Sequence, residues 1–86
     1  MKQQVIKKVI DHNAALLYLY NDNVIGYIER VTDEEQSAYF VIIKRMTEYV
    51  TGCCYEAIKA IENKLRRRYH NAIFVEGTVD DIPLPF

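Results

Sequence analysis

The side chains best suited to covalent chemistry are two adjacent thiols, Cys53 and Cys54, which open the segment CCYEAIKAIENKLRRRY. At a helix N-terminus a thiol pKa is depressed, and His12 or His70 could then act as base. The competing reading packs Cys54 in the core and leaves Cys53 partly exposed. These four side chains could also ligate zinc, but adjacent cysteines lack the two-residue spacing that turns both sulfurs toward one ion, so no metal site is expected. Asp33, Glu34 and Glu35 sit together in one polar connection, where a solvated turn outweighs an acid–base pair. GxSxG, HExxH and a glycine-rich phosphate loop are all missing from a chain with three glycines. The residues therefore imply neither an enzyme nor a cofactor.

Binding chemistry is better represented. Lys59, Lys64, Arg66, Arg67 and Arg68 form the one dense basic cluster. Cations in a last helical turn complement the macrodipole whatever the function, and they can also contact phosphates. Tyr18, Tyr20 and Tyr27 fall in strand-like runs, as do Tyr39 and Phe40. Aromatics on a sheet can stack unpaired bases, or they can fill a core or a dimer interface. The candidate nucleic-acid contacts are the five basic residues with Tyr18, Tyr20 and Tyr27.

Composition limits the alternatives. Eighty-six residues, half of them apolar and 27% charged, suit one globular domain. No apolar run approaches the ~20 residues of a bilayer span, and the lysine-bearing start MKQQVIKKVI has no signal-peptide core, so a soluble cytoplasmic protein is expected. Adjacent cysteines resist ordinary disulfide geometry, which agrees with a reducing compartment. Net charge is −1, but Glu76, Asp80 and Asp81 lie in the last eleven residues, leaving residues 1–75 with eleven bases against nine acids. That excess is too small for a protein that lives on duplex DNA, and nucleic-acid affinity would need local clustering.

The elements that must position these residues follow from periodicity. Cys54, Ala57, Ile58, Ile61, Leu65 and Tyr69 line one face of a helix over residues 53–69, and Glu62 precedes Arg66 by four, the favoured order for an ion pair. Val5, Ile6, Val9 and Ile10 slightly favour a short N-terminal helix, because a strand would place a lysine on each face; a first strand is the alternative. Residues 14–20 and 24–31 are strand-like and flank Asn21-Asp22-Asn23, a hairpin signal. Residues 37–43 read as a central strand, 47–51 as a fourth and 72–76 as a last one able to return to the sheet edge. The expectation is an α+β fold, an antiparallel sheet of three to five strands packed on one long C-terminal helix. A single domain spans residues 1–77, and residues 78–86 form an extended tail.

That tail, VDDIPLPF, resembles the conserved tip of bacterial single-stranded-DNA-binding proteins, an acidic run followed by Ile-Pro-Phe at the chain end. The resemblance covers eight residues, and Leu84-Pro85 separates Pro83 from Phe86 where the family has Pro directly before Phe. In that family the tip docks on replication and repair enzymes. The resemblance implies that Asp80 and Asp81 meet a basic rim, Ile82 and Pro83 pack, and Phe86 anchors. The other reading folds the tail back onto the domain. The body is similar to small phage- or plasmid-encoded accessory proteins, and loosely to whirly-type single-stranded-DNA binders. Together these imply a non-enzymatic accessory protein of DNA metabolism that binds single-stranded DNA or a host replication or repair protein, without a membrane partner and with a homodimer as an option. The alternative is a dimeric protein-interaction module or inhibitor with no nucleic-acid affinity.

Overall fold

The fold was obtained as a computed structural model, which describes residues 2–32 and 37–83. Five strands precede the helix: β1 (Gln4–Ile10), β2 (Leu16–Tyr20), β3 (Asn23–Thr32), β4 (Ser37–Ile43) and β5 (Met46–Thr51). Helix α1 (Cys54–Arg68) follows, then β6 (Ala72–Glu76) and a single 3₁₀ turn, Val79–Asp81. The six strands form one sheet in the order β5-β4-β3-β2-β1-β6, antiparallel throughout except that β6 runs parallel to β1. The expected antiparallel sheet of three to five strands on a C-terminal helix is thus corrected. The sheet is mixed, and the helix sits in mid-chain as a crossover between the two edges.

The helix makes that crossover by running back along the strands. It starts beyond the end of β5 and lies over β3, β4 and β5. Its last turns, with Lys64, Leu65, Arg67 and Arg68, reach the turn between β4 and β5, the end of the sheet where β6 begins. The chain leaves β5 at one edge, crosses one face and re-enters beside β1 at the other. Ala57, Ile61 and Leu65 are buried against Ile6, Tyr18, Ile28 and Val41, while Ile58 and Tyr69 are half-buried. Cys54, expected in the core, is exposed. Where Ile61 crosses β3 the sheet carries Gly26, and a Cβ there would lie 3.2 Å from the Ile61 Cδ1, the Ile43 Cγ1 and the Ile42 carbonyl oxygen. A side chain at this position would hold the helix off the sheet.

The N-terminal segment is a strand, not the short helix the sequence favoured. The objection to a strand was a lysine on each face, and both lysines find carboxylates. Lys8 reaches Glu62 on the helix side at 3.1 Å, and Lys7 reaches Asp81 on the other side at 2.9 Å. Asn21 and Asp22, with φ of 50° and 63°, make the two-residue turn between β2 and β3, the positive-φ geometry that matches strand twist. A second two-residue turn, Lys44-Arg45, joins β4 to β5. The polar connection with Asp33, Glu34 and Glu35 lies outside the described residues.

Candidate nucleic-acid interface

The β4–β5 turn and the end of α1 meet at one corner of the helix-bearing face. Register brings Ile43 and Met46 opposite each other at the neck of the hairpin, and Leu65 of the helix packs beside them to floor a groove of about 780 Å³. Lys44 and Arg45 line it from the turn, and Lys64, Arg67 and Arg68 from the helix. Lys64 is held by Glu48 of β5 at 2.9 Å. Among the described residues the ion pairs engage Lys7, Lys8, Lys64 and Arg66, which leaves Lys44, Arg45, Arg67 and Arg68 with no carboxylate in range. Lys44 adopts φ 52°, in the left-handed region. A side chain there costs on the order of 1–2 kcal/mol that glycine would avoid.

A second groove, of about 590 Å³, adjoins the first around the helix C-terminus. Lys2, Gln4, Tyr20, Arg68, His70 and Asn71 line it. Arg68 belongs to both grooves. Lys44, Arg45, Arg67, Arg68 and Lys2 therefore form one basic stripe, with the half-buried Tyr20 in its wall against Tyr69 at a ring separation of 4.9 Å.

Of the residues singled out in the sequence, Lys64, Arg67, Arg68 and Tyr20 come together here. Arg66 is turned to the other side of the helix. It lies 5.1 Å over the Phe74 ring, 3.7 Å from Glu62 and within hydrogen-bond range of Asn63. Lys59 is exposed and lines neither groove. Tyr18 is wholly buried and donates to the Glu62 carboxylate at 2.8 Å. Burial and that bond raise its pKa well above the usual phenolic value, so it is a core residue with no face free to stack on a base. Tyr27 projects from the sheet face opposite the helix, since it pairs with Leu17 and Ile42 rather than with the helix-covered residues. Lys2, Lys44 and Arg45 were missed because each is separated from the arginine run in sequence. The one local signal was the lysine-arginine pair at a two-residue turn.

The tail holds one turn of structure. Val79–Asp81 form the 3₁₀ turn, between Thr78 and Ile82 in extended conformation. The N–H of Gly77 donates to the Lys8 carbonyl at 2.9 Å, the 3₁₀ turn follows, and Ile82 is half-buried. The N–H of Thr78 donates to Asp81 Oδ2 at 2.9 Å, and Lys7 holds Oδ1. The Thr78 donor and then Lys7 keep the Asp81 carboxyl below its usual range, and Asp81 in turn raises Lys7. Asp80 and Pro83 are exposed, and Phe86 lies outside the described residues.

Cys53 and Cys54 are both free and exposed, and Cys53 caps α1 without a side-chain hydrogen bond. No group of three or more metal-ligating side chains occurs among the described residues, and no helix there is long and apolar enough to cross a membrane. No protein-family model matches the chain, and neither a curated protein nor a solved structure is significantly similar to it.

Proposed function

We propose that this chain is a non-enzymatic accessory protein of DNA metabolism that binds single-stranded DNA along the basic stripe. The observation that carries this reading is Arg68, which joins two grooves into one run of cations from Lys44 past Arg67 to Lys2. A point anion needs one cluster, whereas a run of this shape suits a polymer with regularly spaced charges. Four of the groove's five cations have no ion-pair partner among the described residues, so there a phosphate replaces water rather than an existing ion pair. The apolar floor of Ile43, Met46 and Leu65 offers a base edge somewhere to rest. Lysine at the strained position 44 fits a residue kept for what it contacts. A host protein that captures the tail is less favoured, because Asp81 already has two partners.

The test is fluorescence anisotropy of a labelled oligodeoxynucleotide across a salt series. Five stripe cations on a single strand predict a log–log slope near −3.5, at about −0.7 per phosphate. The triple variant Lys44→Ala, Arg67→Ala, Arg68→Ala should bring it to about −1.4 with the fold intact. Binding that is absent at low salt, or a slope unmoved by the triple variant, refutes the assignment. Equal affinity for a duplex of the same length would refute the preference for single strands.

A further inference from the structure

The sheet face opposite α1 carries an apolar surface, and we propose that a second copy of this chain covers it, giving a dimer with its sheets packed face to face and its helices outside. Strand alternation and register put Leu17, Tyr27, Phe40, Ile42 and Tyr49 on this face, with Val5 toward the β6 edge. The helix lies on the other side, and of the described residues only the turn at Val79–Asp81 packs over this one, beside β1. Tyr49 at 49% and Val5 at 43% are exposed and Leu17, Tyr27, Phe40 and Ile42 are half-buried, while Val9 and Leu19 on the same face are buried.

Three observations select a second copy. Charge is the first: among described strand residues this face holds only Lys7 and Glu29, and Lys7 is neutralised by Asp81. Two such faces meet with little like-charge repulsion, while a polyanion or a strongly charged protein finds nothing to pair with. Size is the second. Six strands of five to ten residues make a plane of roughly 600 Å² before side-chain relief is counted, of which the Val79–Asp81 turn covers the part beside β1. That approaches the ~800 Å² per partner of a standard stable interface. The third is anchoring, for the rings of Phe40 and Tyr49 pack at 5.6 Å across β4 and β5, with Tyr27 beside Ile42 in the register. These aromatics run from the β5 edge inward to β3, and aromatic side chains of this kind are enriched among interface hot spots.

This inference does not depend on DNA binding. Both basic stripes lie on the helix side and would stay outward in the dimer.

Sedimentation equilibrium of the full chain across roughly 1–200 μM, a range that reports standard-size interfaces, should give twice the 10.1 kDa chain mass. Tyr27→Glu with Tyr49→Glu should weaken association by at least ~30-fold while thermal unfolding stays cooperative. Should that pair fail to fold, Val5→Lys at the open edge of the face must weaken association instead. Arg67→Glu, on the helix side, should leave the dimer intact. A wild type that is monomeric at the highest concentration overturns the proposal, as does a dimer indifferent to the face variants. A monomer that still binds oligonucleotide would remove the dimer alone.

Discussion

Replacing Glu62 with alanine tests the way the helix is locked to the sheet. The Glu62 side chain is only 12% exposed and gathers three donors from different places in the chain. Tyr18 donates at 2.8 Å from β2, Lys8 approaches to 3.1 Å from β1, and Arg66 stands 3.7 Å away on the next helical turn. Alanine leaves the Tyr18 hydroxyl buried without a partner, which costs about 1–3 kcal/mol. Lys8 and Arg66 are partly solvated and add no more than about 1 kcal/mol between them. The expected loss is about 1–4 kcal/mol, centred near ~2.5 kcal/mol. At roughly 4–8 °C per kcal/mol for a domain this small, the central value lowers Tm by about 10–20 °C. Thermal and urea unfolding followed by circular dichroism will read it. Tyr18→Phe supplies the control, because with no hydroxyl to orphan, Glu62→Ala in that background should cost less than about 1 kcal/mol. Equal cost in both backgrounds would show that the Tyr18–Glu62 bond does not couple the helix to the sheet.

Two further outcomes follow from close contacts elsewhere. Gly26→Ala should destabilise by about 1–3 kcal/mol through overpacking, since its Cβ would meet Ile61 and two β4 residues at 3.2 Å; an unchanged urea midpoint would contradict the close docking of α1. Because the Asp81 carboxyl is depressed in the folded state, its contribution is present above the ordinary Asp pKa near 3.9 and lost as pH falls through the lower folded value. The 3₁₀ turn should therefore release on acidification below about pH 4, seen as shifts of the Thr78 and Ile82 amide resonances, and Lys7→Ala should move that release to higher pH. Amide shifts indifferent to Lys7→Ala would count against the pairing.

Much of the local structure is written in local sequence. The apolar spacing of Ala57, Ile61 and Leu65 gives α1 to within a residue or two, because a helix needs only its own residues to set its period. Asn21 and Asp22 mark the first hairpin for a similar reason, since positive φ is cheapest for such residues. The arginine run at the end of α1 was likewise visible, and two of its three members line the basic stripe.

What tertiary structure decided is partnership between distant residues. Local spacing put a lysine on each face of Gln4–Ile10 as a strand, and the fold gives both lysines carboxylate partners, Asp81 and Glu62, from elsewhere in the chain. Glu62 read as the partner of Arg66 by spacing, yet its shortest bond is to Tyr18, forty-four positions away. That bond also removes Tyr18 from any role in stacking bases. Parallel pairing of β1 with β6 has no local signature, because it joins strands from opposite ends of the chain through a helix that returns the chain to the end of the sheet where β1 starts. The basic stripe has the same origin: the sequence determined the charge of each cation, and the fold alone brought the Lys44-Arg45 turn and Lys2 beside Arg67 and Arg68.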